Sequence, residues 1–565
     1  MISVLATNIV SPLGYTTDEN YRAVREYRSQ LARYESWRGV PERFVASIFS
    51  DEERSKLLID GFTMLESVAI RSISDAIARC NVDVVKSRTI FILSTTKANV
   101  DELSSLEQND ENYIAPGAIA QKIARHFGFK HDPIVVCNAC ISGMDAQLLA
   151  HRLLSSGEYD YAVVCGVDLV TPFVVAGFLS FKSLSMDECR PFDIERTGLN
   201  VGEAAATILF GREQGDDVQR WRLLRGAMSN DAYHLSAPAP KGDGAYRAMS
   251  KVLDGYDTEK LALISTHGTA TMFNDQMESK AIESANLTGV PVTALKGYYG
   301  HTLGAAGVVE VILNMRSLDD GVVLGVRGFE ELGVSAKVDV RAKERATEKR
   351  SFVKMISGFG GCNGALLYSK QCGEASDVVE RRRLNTLHRV VVTTAGVEVD
   401  SEKLNTSSMG NALLTEVYKS YIGDYPRYYK MDALSKLLFV ASELLMQRLG
   451  DYADDKRCSM IIFNRSSSII SDRKHIATFE RSDEFYPSPS VFIGTLPNIA
   501  LGEFAIRHNC TGETSLYILD KRDDDIMAQV VECQMSQSDT EIMLSGWVDF
   551  SSEDSFEAEL VVLAK

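Results

Sequence analysis

Short runs rich in valine and isoleucine alternate along the chain with longer segments in which apolar residues recur every three or four positions. Runs of the first kind fit buried strands, and the longer segments fit helices with one apolar face. ISVLATNIV (2–10), RTIFILST (88–95) and PIVVCNA (133–139) predict strands, and MLESVAIRSISDAIARC (64–80) and IAQKIARHFG (119–128) predict the helices between them. SGMDAQLLAHRLLSSG (142–157) is apolar at Met144, Leu148, Leu149 and Leu153 with few charges, which predicts a buried helix. From about residue 220 the alternation begins again, through LALISTHGTA, DQMESKAIESAN, PVTALKG, GAAGVVEVILNMRSL and FVKMISGFGGCNGALLYS. Strands alternating with helices in this way predict mostly parallel sheets covered by helices.

After a charged stretch, EASDVVERRRLNTLHR, the pattern of the first segment returns. RVVVTTAGVEV (389–399) matches ISVLATNIVSP, DALSKLLFVASELLMQRLG matches the 64–80 helix, and CSMIIFNRSSS matches TIFILSTTK. PNIALGEFAIRHN, from Pro497, matches PGAIAQKIARHFG, from Pro116, and both contain an Arg-His pair. Ala528-Gln529 lies 382 positions after Ala146-Gln147, and the Arg-His pairs share that shift. Similarity in one consistent order predicts an internal duplication.

The composition is that of a soluble globular protein: 565 residues, 45% hydrophobic and 24% charged. A formal net charge of -17 argues against general binding to nucleic acid or anionic membranes. Ten scattered cysteines form no disulfide framework, and the Cys137/Cys140 spacing has no second pair of metal ligands nearby, so a reducing cytoplasm and no metal are expected. The start, MISVLATNIVSPLG, lacks a basic region and a cleavage signal, so no export is expected. The longest apolar tract, from Tyr161, is broken by Asp168 and Pro172, so no membrane span is expected.

Chemistry enters with VVCNACISGMDAQ (135–147), where Cys140 stands at the start of the predicted buried helix. The helix dipole and unpaired N–H groups there favour a thiolate, although a lone cysteine also serves simply as a small buried hydrophobe. Two histidines stand in turns of small residues, His267 after the strand LALIS and His301 before the Gly/Ala-rich helix. Either could act on a substrate or be a satisfied structural group. His126, His151, His234, His388, His475 and His508 stand in helical or charged contexts and carry no assigned role.

CNACISG around Cys140, THGTATMFND around His267, LKGYYGHTLGAAG around Lys296 and His301, and GFGGCNG at 358–364 together resemble the ordered signatures of the β-ketoacyl-acyl carrier protein synthases. These are the elongating Cys-His-His branch of the thiolase-like superfamily, and RPFDIERTGLNVGEAAA, from Arg190, resembles their intervening stretch. The resemblance covers about residues 1–370. It implies an α/β, thiolase-like layered α-β-α-β-α fold of two similar halves, at 1–215 and 216–372, followed by an additional half-thiolase-like unit at 385–565. It further implies that Cys140 accepts an acyl chain from a carrier-protein thioester. His267 and His301 would then assist decarboxylation of a malonyl thioester, with Lys296 and Glu310 behind them. The Cys140 and Phe359 amides would form the oxyanion hole, Phe359 would also act as a gate, and Gly358, Gly360 and Gly361 would allow close backbone approach. Asp275 matches a polar position near the first histidine, and a helix N-cap is an equal alternative for it.

Two departures bear on substrate choice. Ile141 stands where the family usually has serine or threonine, and Met272-Phe273 make the loop after His267 bulkier. The implied partners are an acyl carrier protein and a second ketosynthase-like subunit, in a homodimer or a heterodimer. The implied cofactor is none beyond the 4'-phosphopantetheine arm that arrives on the carrier protein. A thiolase or a starter-condensing enzyme using coenzyme A thioesters, with Cys362 as second thiol, is the alternative enzyme. An inactive chain-length-factor-like partner is the alternative without catalysis. The third unit has Arg522 where the 382-residue shift puts the nucleophile, so it is expected to be silent, either as a pseudo-dimer surface or as a dock for another chain.

Overall fold

In the computed structural model, residues 1–85, 87–104, 113–212, 220–370, 381, 383–450, 458–480 and 485–565 are described. The expected boundary at 215/216 and half of the charged stretch after residue 373 lie outside them. The first unit contributes β1 (Ile2–Val10), β2 (Thr89–Ser94), β3 (Ile134–Val136), β4 (Tyr161–Asp168) and β5 (Ala204–Arg212). They lie in the order β1-β5-β4-β2-β3, with β4, β2 and β3 mutually parallel and β5 antiparallel to both its neighbours.

The second unit repeats this plan with β6 (Arg222–Asn230), β7 (Leu261–Ser265), β8 (Pro291–Thr293), β9 (Ser351–Gly358) and β10 (Cys362–Ser369), in the order β6-β10-β9-β7-β8. The third does so again with β11 (Asn385–Thr393), β12 (Ser459–Asn464), β13 (Thr514–Ile518), β14 (Ile542–Ser552) and β15 (Ser555–Ala564), in the order β11-β15-β14-β12-β13.

In each unit a helix follows the third strand, and its surroundings differ in a way the side chains explain. Helix Ser142–Ser155 is buried on every side, and Ala306–Asp319 on nearly every side. They cross where glycines remove bulk: a Cβ at Gly143 would lie 2.5 Å from the Gly304 carbonyl, and one at Gly307 would lie 2.7 Å from the Met144 nitrogen. The third unit's helix, Asp524–Ser536, instead turns Asp524, Asp525 and Ala528 outward. Strand β15 likewise alternates buried Phe556, Ala558, Leu560 and Val562 with outward Glu557 and Glu559, whereas β5 is buried along nearly its whole length. Alternation is the pattern of a sheet with one face on the core, and a continuous apolar run that of a sheet covered on both faces. The third unit is therefore composed to stand without a second half.

It docks edge to edge on the first. Strand β13 pairs antiparallel with β3, Tyr517 opposite Val136 and Ile518 opposite Val135. The 382-residue shift carries Val135 to Tyr517 and Val136 to Ile518, so the register is the one a twofold axis between two copies would produce. Two buried ion pairs lock it: Arg152 holds Glu513 in a bidentate contact at 2.7 and 2.8 Å, and Lys97 meets Asp472 at 2.7 Å. The edge through which a second copy of this fold would pair is thus already filled from within the chain.

Asp145 lies at this seam, accepting from the Tyr517 hydroxyl (3.1 Å) and the Asn138 amide (3.2 Å). Burial first, then the nearby Glu513 carboxylate, push its pKa up to about 7. A carboxyl raised in the folded state stabilises the fold fully below its unfolded pKa, and that contribution is lost as pH rises through the folded value. Stability should therefore fall by on the order of 4 kcal/mol between pH 4 and pH 8 from this group. Thermal unfolding across that range should show the decline in the wild type and a flatter profile in Asp145→Asn.

Candidate active site

Strand β3 ends at Val136, and the chain turns into a short 3-10 segment, Ala139–Ile141, before helix Ser142–Ser155 begins. Ala139 takes a left-handed φ of 49° immediately before Cys140, a strained conformation of the kind that collects at functional turns. It leaves Cys140 part-exposed at the floor of a cleft of about 300 Å³, with Phe178, Phe181, Leu199, His267, His301 and Phe359 among its walls.

His267 follows β7. The Glu278 carboxylate accepts the His267 and Gly268 backbone N–H groups at 2.6 and 2.8 Å and fixes the turn. His301 is held by the stretch from Arg190: its N–H donates to the Asn200 carbonyl (2.7 Å), and its carbonyl accepts from Gly202 (3.0 Å). The two imidazoles meet edge to face with centroids 5.0 Å apart, and the Cys140 sulfur and a nitrogen of each ring all lie within 4.8 Å of one another. The His301 Nδ1 accepts the Leu303 N–H (3.2 Å), which puts the proton of the neutral ring on Nε2. That Nε2 and the His267 Nδ1 are buried with no protein partner. Burial and the nearby Lys296 charge hold both rings well below the usual histidine range, so both are neutral at physiological pH.

Behind them Lys296 donates to the His267 carbonyl (2.5 Å) and pairs with Glu310 at 2.7 Å. The sequence reading missed Lys354, which pairs with the other Glu310 oxygen and donates to the Thr266 carbonyl at 2.8 Å. A lysine inside the buried run SFVKMISG was its signal, since a fully buried charge has to be paired. Asp168 was also missed. At the end of β4 it accepts from Thr95, Thr96 and the Gly304 N–H, tying the loop after His301 to the first sheet.

The GFGG loop turns β9 into β10 beside Cys140. A Cβ at Gly358 would lie 3.4 Å from the Cys140 nitrogen, and Gly360 and Gly361 take φ of 89° and 76°. Phe359 contacts Phe178 and Phe181, and these meet Phe492 of the third unit, for which Gly177 leaves space.

Two expectations are corrected. The helix terminus does not make Cys140 a resting thiolate: burial pushes its thiol up to about 12, with Lys296 pulling it down less strongly. Asp275 neither lines the cleft nor caps its helix. Fully buried within the first turn of helix Met272–Ser284, it accepts the Phe192 and Ala270 N–H groups at 2.7 and 3.2 Å and so joins two loops. Cys362, the second thiol of the alternative reading, lines the same cleft, with its sulfur 3.3 Å from the Thr514 hydroxyl.

Models of the β-ketoacyl synthase N-terminal and C-terminal domains match residues 2–215 and 222–330. The chain belongs to the β-ketoacyl synthases, the acyltransferase-type condensing enzymes. It is similar to 3-oxoacyl-[acyl-carrier-protein] synthase 2 of Synechocystis sp., 27% identical over 65% of this chain and 98% of that protein. The same-named protein of Mycobacterium leprae is 31% identical over 46% of this chain and 65% of its own length. Among solved structures, the Xenorhabdus doucetiae ketosynthase ApeO, solved with its chain length factor ApeC, covers 65% of this chain and 97% of its own at a TM-score of 0.56 and 23% identity. The PfaC keto synthase-chain length factor covers 100% of this chain and 78% of its own at 0.77 and 13% identity, so its fold spans the third unit as well.

Proposed function

We propose that the chain is a β-ketoacyl-acyl carrier protein synthase that condenses a Cys140-bound acyl group with a malonyl thioester, for fatty acid or polyketide synthesis, and that its third unit is a built-in, silent counterpart to the catalytic pair of halves. The observation that carries it is the convergence of the Cys140 sulfur with a nitrogen of each of two neutral imidazoles in the wall of one cleft. A 4'-phosphopantetheine arm would deliver both substrates on an acyl carrier protein, and the protein supplies the positioning and the charge stabilisation.

Loading comes first. The protonated Cys140 thiol needs a proton acceptor, and the neutral His267 imidazole beside it is the candidate, while His301 Nε2 carries a hydrogen. The sulfur then attacks the thioester carbon, and the carrier sulfur it displaces leaves as a thiol with the proton that His267 took from Cys140. In the second step, carbon dioxide leaves the malonyl group and enolate charge develops on its thioester oxygen. Donors already aimed at that oxygen, foremost His301 Nε2–H, stabilise it in a site sheltered from water. The carbanion attacks the acyl carbon, the oxyanion is received by the Cys140 and Phe359 amides, and Cys140 departs as the new carbon-carbon bond closes.

The third unit's register on β3 supports reading it as an internal partner, and Arg522, exposed and paired with Asp524 and Glu559, offers no nucleophile there. Among the described residues no helix is long and apolar enough to cross a membrane, which fits the proposed cytoplasmic setting. Intact-protein mass after mixing with acyl-carrier-protein thioesters tests the reading. The wild type should gain one acyl increment and Cys140→Ala none; an increment retained by the variant would refute Cys140 as the nucleophile.

A further inference from the structure

Each polar anchor of the GFGG loop comes from outside the loop. The Gly360 N–H donates to the Leu235 carbonyl (2.7 Å), the Asn230 amide donates to the Gly360 carbonyl (2.9 Å), and the Asp231 N–H donates to the Gly361 carbonyl (2.8 Å). The Asn363 amide also donates to the Gly361 carbonyl at 3.1 Å, and a further anchor crosses from the third unit: the Asn498 amide donates to the Phe359 carbonyl at 2.8 Å. Asn498 is buried and stands at the N-cap position of helix Ile499–His508, yet its side chain makes no cap hydrogen bond. Asparagine is among the residues that most favour capping their own helix, and here that contact is given up for one to another unit. One turn on, Gly502 is fitted to the same loop, since a Cβ there would lie 2.9 Å from the Gly360 carbonyl oxygen and 3.0 Å from its Cα.

The nucleophile's side of the site is tied in as well. The Thr514 carbonyl accepts from the Asn138 amide, two residues before Cys140, at 3.1 Å, and the Thr514 hydroxyl accepts from Asn230 at 3.0 Å. The strand and the helix of the third unit thus grip both backbone segments, the one leading into Cys140 and the one through Phe359.

We infer that the third unit completes the acyl-transfer site, with Asn498 as a positioning residue that holds the Phe359 carbonyl and through it the turn that carries the Phe359 amide beside Cys140. The inference rests on the reading of Cys140 as nucleophile and of the Cys140 and Phe359 amides as oxyanion donors. The unit is silent in chemistry and required for geometry, because a donor displaced by about 1 Å can cost about 100-fold in rate.

The test is the single-turnover loading rate of Cys140, normalised to the thiol titrated in the same sample, so that a misfolded fraction does not count. Asn498→Asp keeps the volume and removes the donor. It should load about 10- to 100-fold more slowly, with KM for the acyl thioester within about twofold of wild type. Gly502→Ala, which pushes the loop from the other side, should show the same split and decides the matter if Asn498→Asp does not accumulate. Normalised rates within twofold of wild type in a folded variant would overturn the proposal alone. A wild type that never loads Cys140 would overturn the reading beneath it and this proposal with it.

Discussion

Replacing His301 with alanine should leave loading of Cys140 within a few fold of wild type while decarboxylation of the malonyl thioester falls by about 10²–10³-fold. The two steps separate because His301 presents a fixed Nε2–H, its other nitrogen being engaged by the Leu303 N–H, and so acts as a donor to developing charge and not as a base. His267→Ala should slow both steps, since the proposed mechanism also makes His267 the acceptor for the Cys140 proton. Release of labelled carbon dioxide from a malonyl carrier-protein thioester, followed beside the acyl mass on Cys140, distinguishes the two variants. Equal loss of both steps in His301→Ala would contradict the division of roles.

The largest effect on stability is expected at the seam between the first and third units. Glu513→Leu leaves the Arg152 guanidinium buried without its bidentate partner, and side chains there are 5% and 4% exposed. Breaking a buried pair in this way costs about 3 to 5 kcal/mol, whereas replacing both partners by apolar groups is often close to neutral. Chemical denaturation should therefore show Glu513→Leu strongly destabilised and Arg152→Met/Glu513→Leu restored most of the way. Equal destabilisation in the double variant would mean that the pair is not what holds the seam.

Much of this was legible in the chain. The alternation of strands and helices and the buried helix after Cys140 reappear as elements. The motifs around Cys140, His267, His301 and Phe359 bring those residues to one cleft because each stands at a strand end or a helix start, where side chains converge. What escaped has a common physical cause: it depends on which buried groups meet. Asp275 reads as a cap or a substrate contact along the chain, and only the packing of its helix against the loop at Phe192 turns it into a clamp. Cys140 reads as an easier thiolate from its helix start, but desolvation in its cleft pushes the thiol the other way. Lys354 and Asp168 sit in strand segments whose partners arrive from other elements. Asn498 shows nothing in sequence beyond a helix start, and its role depends on a contact 139 positions away.

The most direct measurement is the product of one condensation. With an acyl carrier-protein thioester and malonyl carrier protein, the protein should yield a β-ketoacyl thioester extended by one malonyl-derived unit, with carbon dioxide released in step. Cys140→Ala should give no product. A product formed without loss of carbon dioxide, or formed equally by the variant, would contradict the account.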